Sequence, residues 1–111
     1  MSFYRIQDRE IPVEQLLDPE FQTSESYCTG TTRVGKSVCG SIEELAAYFA
    51  QAGVPLDPRT SVLVEVKGHY ADEADEDAHL GALLIIPTEI VAVTEIPEAF
   101  YAEIDRILGD I

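Results

Sequence analysis

The sequence predicts a small α+β domain in which a mostly antiparallel sheet of about four to six strands is covered by two main helices. Residues 41–52 and 97–108 place apolar side chains at helical spacing. Residues 61–68 and 89–96 alternate apolar and polar side chains, as half-buried strands do. Because the strands of residues 61–96 follow one another without a helix between them, antiparallel pairing is favoured over a parallel sheet.

Length and charge limit the classes of function that are open to the chain. Its 111 residues fit a single domain spanning residues 1–111. With 21 acidic and 7 basic residues the net charge is −14, which disfavours binding to nucleic acid or to an anionic membrane. No apolar stretch approaches the roughly 20 residues of a membrane span, and the N-terminus lacks a signal-peptide core, so a cytoplasmic location is expected.

The first third of the chain predicts short elements. Residues 3–7 are apolar enough for an edge strand, and a short helical segment begins at Pro12 and ends before Pro19. Residues 27–40 predict a hairpin whose four-residue loop holds Gly35 in the left-handed region. This register pairs Thr31 with Lys36.

The same hairpin would place Cys28 opposite Cys39. Two adjacent thiols leave a disulfide or a shared metal open, whereas a reducing cytoplasm favours two small buried side chains. Together with His69 and His79 the cysteines supply ligand types for zinc, but their spacing is not that of a finger or ribbon. The sequence therefore predicts no metal and no cofactor.

The two long helices carry clear boundary signals. Ser41 and Glu44 form a capping box at the start of the first, and Gly53 follows its last turn. The last helix begins after Pro97. Between them, residues 80–86 form an almost unbroken apolar run that Pro87 ends, which predicts a central strand separate from residues 89–96.

Residues 30–37 match the phosphate-binding loop pattern G-x-x-x-x-G-K-[ST]. Gly30, Gly35, Lys36 and Ser37 occupy its fixed positions. The context favours a hairpin loop, because the preceding residues are mostly polar and the capping box starts the helix only at Ser41. Nucleotide binding through this loop therefore remains an alternative hypothesis.

Five carboxylates occur within six positions between two predicted strands. This acidic segment suits docking to a cationic partner, and its alternatives are a solvated loop or a weak divalent-cation site. The residues are Asp72, Glu73, Asp75, Glu76 and Asp77.

The opening segment Phe3-Tyr4-Arg5-Ile6 is similar to the arginine-bearing first strand of short bacterial ADP-ribosyltransferase-like domains. The resemblance implies an acidic catalytic residue on a late strand, for which Glu89 and Glu95 are the candidates. A minimal enzyme of that kind is a second alternative.

The leading hypothesis is a small acidic, non-catalytic protein that docks to a basic protein partner. An inhibitor, an immunity-type protein or a nucleic-acid mimic would have this character. Partner binding would then be carried by the acidic segment at residues 72–77, and no catalytic residue is assigned.

Overall fold

A computed structural model of the chain describes residues 2–18, 23–25, 32–52, 56–57, 59–71, 78 and 81–109, with backbone alone for 23–25 and 32–34. The predicted α+β class is confirmed, since the described residues form a four-stranded antiparallel sheet, a two-stranded sheet and two α-helices. The strands are β1 (Ser2–Asp8), β2 (Thr23–Glu25), β3 (Thr32–Val34), β4 (Lys36–Val38), β5 (Ser61–Tyr70) and β6 (Leu83–Thr94). The helices are α1 (Ile42–Ala52), α2 (Glu98–Gly109) and a 3-10 helix (Val13–Leu17).

The main sheet has the strand order β1-β5-β6-β4, and all its neighbours are antiparallel. Its two end strands also meet at one point. Tyr4 and Cys39 form an isolated bridge in which each N–H donates to the other's carbonyl oxygen at 2.9 Å. The sheet therefore curls until β1 reaches the residue that follows β4.

The alternating residues of β5 divide the core into two clusters. Val64 packs with Phe3 and Leu16, so the 3-10 helix covers this face of the sheet. Leu63 packs with Phe100 of α2 on the other face, where Leu45 of α1 joins the same cluster. Each such side chain, when fully buried, stabilises the fold by roughly 1.5–3 kcal/mol.

Strand β6 continues through Pro87, so the predicted division into two strands is wrong. Pro87 lies opposite Gly68, beside an irregularity in the β5–β6 register. Proline is tolerated at such irregularities because the regular ladder of hydrogen bonds is already interrupted. Gly68 is needed here, because a Cβ at this position would lie 2.4 Å from the Ile86 carbonyl oxygen.

The predicted four-residue hairpin loop at residues 32–35 is also wrong. Thr32–Val34 form strand β3, which pairs with β2, and Lys36 pairs with Ile85 of β6, while Thr31, the predicted partner of Lys36, lies outside the described residues. Burial of Val38, which is 2% exposed, explains why β4 joins the main sheet. Gly35 does adopt a positive φ, +132°, at the bend between β3 and β4.

The predicted starts of the two long helices are confirmed, whereas the end signals Gly53 and Pro19 lie outside the described residues. Helix α1 begins at Ile42, and the Ser41 hydroxyl accepts the Glu44 N–H at 3.1 Å, as a capping residue does. The 3-10 helix begins after Pro12. Of the helices that the structure describes, none has the length and apolar character needed to cross a membrane.

Candidate functional site

The site lies where β1 and β4 separate. Beyond the Tyr4–Cys39 bridge, the same antiparallel register would set Arg5 opposite Val38 and Gln7 opposite Lys36. The pairing remains a single bridge, and cavities lie along this stretch instead. Arg5 also pairs with Val64 of β5 on its other side, so its backbone is fixed by the sheet while its side chain occupies the cleft.

The Arg5 guanidinium is buried in this cleft, and two of its three nitrogens have no acceptor among the described residues. Its Nε and Nη1 atoms are inaccessible to solvent and have no hydrogen-bond partner among the described residues. Burial lowers the pKa of Arg5 to about 10, so the side chain remains positively charged at neutral pH. A buried polar group without a partner destabilises a fold, and a buried charge does so more strongly.

Three other arginines of the chain have carboxylate partners. Arg9 pairs with Glu95 and Arg59 pairs with Asp57. Arg106 pairs with Glu103 one turn earlier on α2. These pairs are exposed to solvent, where an unpaired arginine would be well hydrated. Among the described residues the buried Nε and Nη1 of Arg5 thus have no acceptor while three exposed arginines are paired, although acidic residues outnumber basic ones 21 to 7 in the whole sequence.

Lys36 brings a second positive charge to the same cleft. It lines the same cavity as Arg5, and its pKa is lowered, first by burial and then by the positive charge of Arg5. Ser37 follows it on β4, with its side chain exposed. Gly35 fixes this stretch against β6, because a Cβ there would lie 2.7 Å from Leu84 Cγ.

Two cavities meet at Arg5. The first, about 180 Å³, lies between β1, β4 and α1, and its walls include Ser37, Tyr48 and Phe49. The second, about 140 Å³, lies beside the 3-10 helix and is lined by Lys36 and other residues. Among the lining residues only Arg5 is common to both. Arg5 therefore lies between a more apolar space and a more polar one.

The loop-motif residues lie only partly in the cleft, and in a geometry different from a phosphate-binding loop. Lys36 and Ser37 belong to strand β4, whereas in such a loop they would open a helix. Helix α1 begins at Ile42. Gly30 lies outside the described residues. Lys36 and Ser37 nevertheless line the two cavities of the cleft, where they belong to strand β4 and not to the first turn of a helix.

The predicted partner-binding residues Asp72, Glu73, Asp75, Glu76 and Asp77 lie outside the described residues. So do Cys28 and His79. Cys39 is a buried cysteine that lines the first cavity, and His69 is exposed on β5. Within the part of the chain that the structure describes, no three metal-binding side chains come together.

The two acidic residues suggested by the transferase resemblance do not join Arg5. Glu95 pairs with Arg9, and Glu89 is exposed on β6 opposite Lys67. Neither lines the two cavities that contain Arg5. Arg5, the arginine on which the resemblance depends, therefore lies in a cleft that neither Glu89 nor Glu95 lines.

Arg5 was not among the site residues assigned from the sequence. The signal that could have identified it is the strand alternation of β1, in which Arg5 shares a face with the buried Phe3 and Gln7. A charged residue between two inward positions of a strand is rarely placed there for stability alone.

Comparison of the chain with protein-family models, with curated proteins and with solved structures found no match.

Proposed function

We propose that this protein binds a small phosphate-type anion in the cleft formed by Arg5, Lys36 and Ser37. The observation that carries the proposal is the buried Arg5 guanidinium, whose Nε and Nη1 donors have no acceptor among the described residues. An anion entering the cleft would accept a hydrogen bond from this guanidinium and neutralise its charge. The binding energy would then include relief of the burial penalty.

The arrangement of donors favours a phosphate over a single-atom anion. Nε–H and Nη1–H lie on different edges of the planar guanidinium, so each needs an acceptor of its own, and a polyatomic anion can accept from one of them while its other oxygens reach neighbouring groups. A tetrahedral phosphate presents several oxygens, and Lys36 supplies a point charge beside them.

The test is a thermal-shift and calorimetric titration with inorganic phosphate, sulfate and acetate, each against sodium chloride at equal ionic strength. Phosphate at 100 times its dissociation constant should stabilise the protein by about 2.7 kcal/mol. Arg5→Met should abolish the shift, and Arg5→Lys should weaken binding because the fork of donors is lost.

Arg59→Met is the matched control, since Arg59 is an exposed arginine whose partner is Asp57. It should leave the phosphate shift unchanged. A phosphate shift no larger than that of chloride, or one that persists in Arg5→Met, would overturn the proposal.

A second candidate function is docking to a basic protein partner through the acidic segment at residues 72–77. The supporting observation is the net charge of −14, which would accelerate encounter with a cationic surface and repel nucleic acid. A genuine partner should be basic and should dissociate as salt is raised. Replacing the five carboxylates of the segment by their amides should weaken the complex, and salt-insensitive capture would contradict this function.

A further inference from the structure

The side chains that line the first cavity suit the binding of an aromatic ring. Its lining includes the aromatic side chains Tyr48 and Phe49, whose rings lie 6.0 Å apart in an edge-to-face arrangement. Leu45 and Ala82, both buried, belong to the same lining. Aromatic faces and edges favour another ring packed against them, through offset or edge contacts. This chemistry differs from that of the Arg5–Lys36 side of the cleft.

The size of the cavity matches that interpretation. A volume of about 180 Å³ exceeds the roughly 150 Å³ of an apolar protein cavity that accepts benzene. The second cavity is smaller, about 140 Å³, and its lining includes Gln7, Gln15 and Lys36. It is therefore better suited to an anionic group and its hydrogen bonds than to a ring.

Arg5 lies where the two spaces adjoin, because it is a lining residue of both. A ligand that is held by the guanidinium can place its anionic group towards Lys36 and its organic group towards Tyr48. The apolar cavity would remain poorly filled by inorganic phosphate, and apolar surface near a bound anion is most favourably covered by the ligand itself.

We infer that the natural ligand of the cleft is a phosphate ester whose organic group is a planar aromatic ring. The inference rests on the proposed anion site and specifies the class of ligand that occupies it. The phosphate accepts hydrogen bonds from Arg5 beside Lys36, and the ring enters the cavity between α1 and β4, against Tyr48 and Phe49.

The experiment compares three probes on the wild-type protein by calorimetry: inorganic phosphate, methyl phosphate and phenyl phosphate. Phenyl phosphate should bind about tenfold to a hundredfold more tightly than methyl phosphate, which is the gain expected for burying a ring of phenylalanine size. Equal affinities for the three probes would overturn the aromatic ligand and leave the anion site standing. Absence of binding by all three would overturn both.

Ala82→Leu tests where the ring sits. Ala82 lines the first cavity and not the second, so the larger side chain should occupy the space of the ring. Phenyl phosphate should then bind no better than methyl phosphate, while inorganic phosphate keeps its wild-type affinity. A preference for phenyl phosphate that survives this substitution would overturn the placement.

Tyr48→Leu offers a second variant if Ala82→Leu fails to fold. Tyr48 is only partly buried, and leucine retains an apolar wall while it removes the ring face. The preference for phenyl phosphate should fall with this change and the affinity for inorganic phosphate should not. An unchanged preference would contradict contact between the two rings.

Discussion

Arg5 and Arg9, four residues apart on and just beyond β1, occupy opposite environments. Arg9 lies near the surface, and its two terminal nitrogens each donate to a Glu95 carboxylate oxygen at 2.9 Å. This hydrogen bond raises the pKa of Arg9 above its usual value. Arg5 is buried, its Nε and Nη1 have no acceptor among the described residues, and its pKa is lowered to about 10.

This difference is the basis for assigning Arg9 to stability and Arg5 to the proposed ligand. Selection for stability alone would bury the paired arginine and expose the unpaired one, because water solvates an exposed charge well. The observed arrangement is the reverse. Arg5 is thus the side chain whose replacement should separate stability from binding.

The largest expected effect on stability comes from replacing Gly35, the residue before Lys36, whose conformation helps to bring Lys36 beside Arg5. Gly35→Ala should destabilise the protein by about 3 kcal/mol, since a Cβ would combine an unfavourable φ with a collision against Leu84. Chemical denaturation measures the change. Phosphate binding to the folded fraction should also weaken, because Lys36 is displaced.

Gly81→Ala is the matched control for backbone strain. Gly81 also has a positive φ, +98°, but nothing lies within 4 Å of its added Cβ. It should cost only about 1 kcal/mol and leave phosphate binding unchanged. Equal effects of the two substitutions would show that the contact with β6 does not hold Gly35 in place.

The next largest effect has the opposite sign. Arg5→Met should stabilise the protein by roughly 1–3 kcal/mol, because a buried unpaired charge is replaced by an apolar side chain of similar length. Urea denaturation at neutral pH measures this, and the same variant should no longer bind phosphate. A destabilised Arg5→Met would mean that the guanidinium contributes to the fold and would remove the argument for a ligand.

The helices and the sheet class could be predicted because their signals are local. The Ser41 capping box and the apolar face of α1 need no knowledge of the rest of the chain. Strand partners are different. Lys36 pairs with Ile85, which is 49 positions away in the sequence, and a hairpin register drawn from nearby residues could not anticipate this.

The cleft was missed for the same reason. It exists because β1 and the end of β4 meet only through Tyr4 and Cys39, a contact between distant parts of the chain. Lys36 and Ser37 were recognised from a loop motif, yet their place beside Arg5 follows from strand β4 and not from that motif. The loop motif thus identified two residues that line the cleft, Lys36 and Ser37, but it predicted the wrong backbone geometry for them.

A smaller effect concerns the pKa of Lys36. Burial and the charge of Arg5 both lower this pKa, burial being the larger cause. Arg5→Met removes the second cause only, so the pKa of Lys36 should rise without returning fully to its usual value. An NMR titration of the Lys36 side chain measures the midpoint. Arg59→Met should leave it unchanged, and an unmoved midpoint in Arg5→Met would show that the two cations are not neighbours.

The smallest effect should come from Glu95→Gln, which breaks the exposed pair of Arg9. The hydrogen bond from Arg9 and its charge lower the pKa of Glu95. The stabilisation is therefore present above the unfolded-state pKa of this carboxyl and is lost as the pH falls through the lower folded-state value. Thermal unfolding of the variant should show a slightly lower midpoint at pH 7 and no difference at a pH below the folded-state pKa.

The Glu95→Gln experiment also sharpens the contrast between the two arginines. Glu95 is 74% exposed, so water can solvate both charges once the pair is broken, and salt should reduce the difference further. Arg5→Met should instead keep its stabilising effect at high sodium chloride, because Nε and Nη1 are closed off from the diffuse ion atmosphere and only an anion bound specifically in the cleft reaches them. If the two variants shared one salt dependence, the cleft around Arg5 would be open to solvent and its charge would need no bound anion.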